Sequence, residues 1–387
     1  MQDARFHASD KKMLSCNDVI NMLPQWKKEY PFLGESHSQT LQQTLRDLSQ
    51  AYKSFFRRLK KIQSGDYSEG TDPGYPKFKR KYRHDSFRYP QGVKIEGRRI
   101  FLPKLGWYRF YKSREIDGVL KNVTVSRDGG EWFVSVQVEK EINDLEPRQE
   151  PSIGLDLNIA LFCACSDGSL IAPLNASKKY SARLAKEQQK LSRKAKFSSN
   201  WKKQKAKVAK IHRKIRNLRR DFLHKLSTKI TRRYGLVVLE NLNIKNMTRS
   251  AKGTPENPGK NVRAKSGLNR SILDQGWGEF TRQLCYKSDW SGGLVLKVDP
   301  KYTSQTCSHC WHTAKKNRKS QSLFACEACG FSVNADYNAA KIILTLGQRG
   351  INACGDEGLP SSMKQEPAGT GNQVPTCGLI TTGIPVI

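Results

Sequence analysis

The chain has 387 residues and a formal charge of +33 at pH 7, from 68 Lys and Arg against 35 Asp and Glu, with 37% hydrophobic residues. That length allows two or three domains with real cores. No run of about twenty apolar residues is available to span a bilayer, and the polar N-terminus lacks the hydrophobic stretch of a signal peptide. The sequence therefore reads as a cytoplasmic protein with reduced thiols. A charge surplus of this size repels itself unless a polyanion neutralises it, so nucleic acid is the expected partner, with no membrane and no small-molecule substrate; the alternative is a merely solubilising basic surface.

In chain order, Asn17 to Lys28 predicts a short helix that breaks at Pro31. From Ser38 to about Ile62, Leu41, Leu45, Leu48, Tyr52, Phe55 and Leu59 recur at spacings of three and four, one face of an amphipathic helix, so residues 1–64 form a helical region. From Gly65 the composition shifts to Gly, Pro and aromatics, and the stretch Tyr75-Pro76-Lys77-Phe78-Lys79-Arg80-Lys81-Tyr82-Arg83 interleaves cations with rings. Cations grip phosphates and rings stack on bases, which makes Lys77, Lys79 and Arg80 candidate nucleic-acid contacts. The competing reading is a solvated basic loop whose aromatics anchor it to the core. Alternation between Val93 and Glu139, with Val119 to Val125 and Trp132 to Val138 on either side of Asp128-Gly129-Gly130, predicts a small β-barrel over residues 65–150.

At Pro151 another domain begins, expected to run to residue 302. Ile153-Gly154-Leu155-Asp156-Leu157 is an apolar strand interrupted by one carboxylate, which a buried strand tolerates only with a hydrogen-bonding cap or a cation; taken alone, Asp156 reads more readily as a turn residue. Leu161 to Cys165 is a second strand turning at Asp167-Gly168. Residues 178–233 carry 22 Lys and Arg against two acidic residues, while Val208, Ile211, Ile215, Leu218, Phe222, Leu226 and Ile230 keep one apolar stripe. This predicts a helical hairpin, broken at Phe197-Ser198-Ser199-Asn200 with Asn200 as cap, whose seam packs while Lys202, Lys203, Arg213, Arg216 and Arg219 meet phosphate. A solvated coiled coil is the plainer alternative. Leu236 to Leu239 is a buried strand running into Glu240. The polar stretch from about Asn246 to Arg270 predicts a mobile loop. A helix through Trp277, Phe280 and Leu284 and a strand at Leu294 to Val298 follow.

Cys307-Ser308-His309-Cys310 and Cys326-Glu327-Ala328-Cys329 are two CxxC turns separated by fifteen residues. Each turn presents two thiolates to one ion, so Cys307, Cys310, Cys326 and Cys329 predict a closed structural Zn2+ site, a zinc ribbon over residues 303–332. Four cysteines satisfy that ion, and His212, His224, His309 and His312 read as polar neighbours or phosphate contacts. Asp336 opens a final helix over 333–346. The tail 347–387 has little apolar periodicity and is expected to be disordered.

Asp156, Glu240 and Asp336, delivered by strand, strand and helix, are what two-metal phosphodiester chemistry requires: carboxylates that hold Mg2+ or Mn2+ without a covalent enzyme intermediate. The element order matches an α/β, RNase H-like fold, preceded by the helical unit and the small barrel. The runs Ile153-Gly154-Leu155-Asp156-Leu157-Asn158-Ile159 and Val237-Val238-Leu239-Glu240-Asn241-Leu242-Asn243, with Thr303-Ser304-Gln305-Thr306-Cys307 through to Asn334-Ala335-Asp336-Tyr337-Asn338-Ala339-Ala340, resemble the TnpB (OrfB) proteins of insertion sequences, relatives of type V CRISPR effectors. That resemblance implies an RNase H-like (RuvC) nuclease core with an inserted zinc ribbon.

The resemblance implies a transposon-encoded, RNA-guided DNA endonuclease, of a family long called transposases, with a transposon-end-derived guide RNA and a DNA target as partners. It implies Asp156, Glu240 and Asp336 as metal-binding catalytic acids and the four cysteines as zinc ligands. In such a division of labour base pairing reads sequence and the basic protein holds the heteroduplex by its backbone. Compared with the family pattern the chain opens at Met1-Gln2-Asp3 with roughly forty family-typical residues lacking. The alternative expectation is therefore a truncated nucleic-acid-binding remnant or repressor that keeps the fold but does not cut.

Overall fold

The computed structural model describes residues 14–65, 72–79, 85–141, 148, 151–353 and 378–379. The chain divides into two compact units, Met1–Asn143 and Asp144–Ile387.

The first unit opens with helices α1 (Cys16–Asn21), α2 (Leu23–Glu29) and α3 (Ser38–Gln63). Ser15 starts α1 with a reciprocal cap: its hydroxyl accepts from the Asp18 N–H at 3.1 Å and its own N–H donates to the Asp18 carboxylate at 2.9 Å. Helix α3 buries Tyr52 and Phe55 from the predicted stripe, while Leu48 stays exposed. Tyr75 sets its ring edge-on against Tyr52 and Phe55, and Arg58 donates to the carbonyls of Pro73 and Gly74. The basic-aromatic stretch is thus anchored through Tyr75, whereas Phe78 is 98% exposed.

Two three-stranded antiparallel sheets follow. One has the order β1 (Ser86–Tyr89), β5 (Val119–Asp128), β6 (Glu131–Glu139); the other runs β2 (Lys94–Glu96), β3 (Arg99–Leu102), β4 (Gly106–Arg109). Tyr89, Ile100, Leu102, Val123 and Val125 from both sheets share one core. Among the described residues no strand pairing joins the two sheets into the closed barrel read from the alternation. Gly129 and Gly130 both have positive φ, 58° and 92°, which suits the tight turn between β5 and β6.

The second unit is built on a six-stranded sheet in the order β14 (Gly378–Leu379), β11 (Leu294–Val298), β10 (Leu236–Glu240), β7 (Ser152–Leu157), β8 (Cys163–Cys165), β9 (Leu170–Ile171). Strands β7, β10 and β11 are parallel, and β8 and β9 antiparallel. Alternation assigns the faces. Ile153, Leu155, Val237, Leu239 and Val295 join Phe162, Leu223, Phe280 and Leu284 on one side. Leu236, Val238, Leu296 and Val298 join Ile342, Ile343 and Leu346 of helix α9 (Ala335–Ala353) on the other. Both faces being covered, these strands read as continuous apolar runs. Gly154 makes the α9 side possible: a Cβ there would stand 2.2 Å from the Ala340 carbonyl oxygen and 2.7 Å from the Leu344 nitrogen.

The predicted hairpin is α4 (Ala176–Ser192) packed on α5 (Ser199–Arg233). Its cap differs from the expectation. Ser198, not Asn200, has extended backbone and accepts the Trp201 N–H at 3.1 Å, so α5 begins two residues earlier. Short helix α6 (Ile244–Met247) is followed by α7 (Val262–Gln275) and α8 (Trp277–Asp289). The stretch read as loop to Arg270 is therefore helical from Val262, because Asn269 donates to the carbonyls of Thr248 and Arg249 and Lys265 to that of Met247. Helix α9 continues to Ala353, past the expected start of a disordered tail at 347, and Gly378–Leu379 pair in parallel with Leu296–Lys297; the rest of the tail lies outside the described residues. Among the described residues no helix is long and apolar enough to cross a membrane.

Candidate active site and zinc ribbon

The same alternation that builds the sheet gathers the acids. With Leu155 and Leu239 paired across β7 and β10 and pointing into one core, Asp156 and Glu240, the next residue on each strand, face the α9 side. Asp336 stands in the first turn of α9. Asn334 holds that turn, its Oδ1 accepting the N–H groups of Asp336 and Tyr337 at 3.0 and 3.1 Å, and Asp336 is 7% exposed.

The electrostatics show the three acids sharing one neighbourhood. Asp156 is pushed up to about 7, first by burial and then by the charges of Glu240 and Asp336, with Arg318 pulling the other way. Burial also raises Glu240, against a hydrogen bond from Thr303 and with the Asp299 carboxylate adding to the rise. Thr303 is buried, and its Oγ1 lies 2.6 Å from Glu240 Oε1. Arg318 of the ribbon places Nη2 3.5 Å from Asp336 Oδ1.

The ribbon spans β12 (Leu323–Ala325) and β13 (Ser332–Asn334), an antiparallel pair. The ligand atoms of Cys307, Cys310, Cys326 and Cys329 all lie within 4.8 Å of one another. The Cys307–Cys329 and Cys310–Cys326 Sγ separations are 3.7 and 3.5 Å. Zn–S bonds of about 2.3 Å in a tetrahedron put sulfurs roughly 3.75 Å apart, so the donor set and spacing fit zinc. Three carboxylates, one of them held unfavourably in its charged form, likewise suit a hard divalent cation bound through oxygen. Asn338 ties ribbon to helix: fully buried, it accepts the Ser308 N–H at 3.0 Å and donates to the Thr306 carbonyl at 2.7 Å.

Among the basic candidates, Lys77 and Lys79 are exposed in the first unit and Lys202 and Lys203 in the second. Arg80 lies outside the described residues. Arg213 is half-buried and Arg216 exposed. Arg219 departs from its expected role: it is half-buried, with Nη1 3.4 Å from Asp274 Oδ1 and donating to the Leu273 carbonyl, so its charge is engaged within the fold. Asp274 in turn accepts from the Ser177 N–H and hydroxyl at the start of α4. Thr303, Arg318 and Asn338 escaped the sequence reading as site residues, although Thr303 and Asn338 stand in the runs that carried the resemblance.

Two family models match the chain: OrfB_IS605, described as "Probable transposase", over residues 133–251, and the Cas12f1-like TNB domain over residues 277–343. The chain is 47% identical over 368 residues to "Putative RNA-guided DNA endonuclease InsQ" of Escherichia coli (strain K12), covering 93% of this chain and 88% of that one. It is 33% identical over 366 residues to a "Putative RNA-guided DNA endonuclease" of Streptomyces pristinaespiralis, covering 89% and 83%. A shorter stretch of 75 residues is 41% identical to the CRISPR-associated endodeoxyribonuclease Cas12f1 of Sulfoacidibacillus thermotolerans, 19% of this chain and 18% of that one. Identity at this level along nearly the whole of both chains means that the chain belongs to the TnpB (OrfB) family of insertion-sequence proteins.

Proposed function

We propose that this protein is an RNA-guided, divalent-metal-dependent DNA endonuclease of its transposon, with Asp156, Glu240 and Asp336 as catalytic acids and the four ribbon cysteines holding a structural zinc. One observation carries the reading: two strands and a helix bring three carboxylates into one buried neighbourhood, where burial first, and then the charges of Glu240 and Asp336, raise Asp156 to about 7. Such a cluster opposes folding unless a cation answers it. Bound Mg2+ or Mn2+ would supply Lewis-acid stabilisation and a water activated for phosphodiester hydrolysis.

The chain's own residues do the rest. Parallel strands β7 and β10 fix two of the carboxylates side by side, Thr303 orients that of Glu240, and Asn334 and Asn338 fix the helix turn that carries Asp336. Arg318 offsets part of the negative charge. The RNA-guided DNA endonuclease names of the relatives and the charge of +33 support a guide–target heteroduplex held by its backbone. On this reading residues 1–64 and 65–150 serve as recognition and wedge regions, residues 151–302 and 333–346 as the nuclease core around the 303–332 ribbon, and the protein works in the cytoplasm.

The test is to co-purify the protein with transcript from its own locus, add Mg2+ and a plasmid bearing the matching target, and compare with Asp156→Ala. Cleavage by the first and not the second is expected. A protein that holds RNA and target yet cuts no better than Asp156→Ala would be a binding protein without nuclease chemistry.

A further inference from the structure

The turn between α4 and α5 has a feature that folding does not explain. Phe197 has φ of 69°, in the left-handed region where a side chain with a Cβ is penalised and glycine is not. Its ring is nonetheless 74% exposed, so neither the backbone nor burial favours phenylalanine there. The ring leans on Trp201, with centroids 5.6 Å apart and planes at 50°. Trp201 is held in turn by the Ser198 cap on its N–H and by Lys205, whose Nζ lies 5.0 Å from the indole centroid. Two aromatic rings are therefore fixed at the tip of a hairpin, one of them open to solvent.

The surroundings select the partner. Lys196 and Lys202, next in sequence to the two rings, and Lys203 are exposed at this end of the hairpin, and no acidic residue stands between Glu187 and Asp221. Glu187 itself is engaged by Lys190 and Gln204. An apolar protein surface would leave these cations unanswered. A nucleobase is a planar apolar group that arrives with phosphates attached.

We infer that Phe197 and Trp201 form a stacking platform for an unpaired base, with Lys196, Lys202 and Lys203 on the flanking phosphates. The inference rests on the nucleic-acid reading above but not on cleavage. The base can come from RNA or from a DNA strand, since both offer the same face.

Binding is measured on the full chain with metal chelated, using RNA and DNA duplexes that are blunt or carry a short unpaired end, across a salt series. Phe197→Gly and Trp201→Ala are expected to weaken binding to the unpaired-end probe about tenfold. Binding to blunt duplex and the salt slope should stay as in the parent, because no phosphate contact is lost. Phe197→Leu should fail to rescue, while Phe197→Gly melts no lower than the parent. Loss confined to the RNA or the DNA probe identifies which strand is stacked. Lys202→Gln and Lys203→Gln should instead lower the salt slope by about one each. Platform variants within twofold of the parent on both probes, or Phe197→Leu as good as phenylalanine, would overturn the stacking role while leaving the nucleic-acid reading intact. A parent protein that binds neither RNA nor DNA would overturn both.

Discussion

Thr303 Oγ1 donates to Glu240 Oε1 at 2.6 Å from a position that is itself 3% exposed. The hydroxyl also lies 3.1 Å from the Pro300 carbonyl oxygen, but one proton serves one strong acceptor, and the shorter contact to a carboxylate is the stronger. This bond opposes the rise in the Glu240 carboxyl's pKa that burial causes. Thr303→Val keeps the shape and removes the proton. Loss of a hydrogen bond to a charged group costs about 1.5–3 kcal/mol, so cleavage should fall about tenfold or more and half-saturation should shift to higher Mg2+. Thr303→Ser should recover most of both, and a Thr303→Val protein with parental Mg2+ dependence would show that the bond is only structural.

Asp156 predicts a pH dependence with a definite sign. Its carboxyl rises from the ordinary aspartate value of 3.8 to about 7 in the folded, metal-free chain. The folded state therefore holds the proton more tightly than the unfolded one. The resulting stability is fully present below about pH 4 and is lost as pH rises through about 7, at most about 4 kcal/mol. In chelator, the melting temperature should fall between pH 5 and pH 8, and Asp156→Asn should flatten that fall. Added Mg2+ competes with the proton, so the Mg2+ concentration needed for cleavage should drop as pH rises toward about 7. A flat melting profile in chelator for the parent would refute the shared charge.

Asp156, Glu240 and the cysteines were legible because each is a chemical oddity in its local run, a carboxylate in or at the end of an apolar strand or thiols with two residues between them, whereas Asp336 stood out only as the acid that opens the helix after the ribbon. Their neighbours were not. Thr303, Arg318 and Asn338 reach partners 63, 18 and 30 residues away along the chain, and nothing local distinguishes one threonine or one of 68 cations. The face shared by Asp156 and Glu240 follows from strand alternation, yet only the register Leu155 to Leu239 makes them neighbours. Sheet closure in the first unit depends on pairings between distant strands, which alternation does not specify. Helix α7 was hidden because its apolar positions are sparse and its hold on residues 247–249 is polar.

Asn338 joins the four-cysteine ribbon to the helix that carries Asp336, through the Ser308 N–H and the Thr306 carbonyl. Cys326→Ser removes one of four thiolates and should lower zinc content and cleavage together, since the ribbon between β11 and α9 then loses the fold that Arg318 and Ser308 depend on. Asn338→Ala separates the two effects. It leaves the thiols intact but the buried Thr306 carbonyl and Ser308 N–H without their partner, at about 1–3 kcal/mol. Zinc content should stay near one per chain while cleavage and melting temperature fall. Zinc loss in Asn338→Ala, or full cleavage in zinc-depleted Cys326→Ser, would uncouple ribbon from active site.

Gly154 sets how closely α9 approaches the sheet, and therefore where Asp336 sits. The Cβ of an alanine would meet backbone atoms, the Ala340 oxygen at 2.2 Å and the Leu344 nitrogen at 2.7 Å, and backbone cannot swing aside as a side-chain tip can. The helix must move as a body, and overpacking of this kind costs about 1–3 kcal/mol or more. Gly154→Ala should lower the melting temperature by several degrees and reduce cleavage more than that loss of folded protein explains, because displacing α9 draws Asp336 away from Asp156 and Glu240. Gly347→Ala offers the control. Its Cβ would meet the Val238 side chain at 2.5 Å, on the same helix but three turns from Asp336. Equal losses of cleavage per degree of melting temperature in the two variants would mean that Gly154 acts through stability alone; a steeper loss for Gly154→Ala would identify helix position as the quantity the glycine controls.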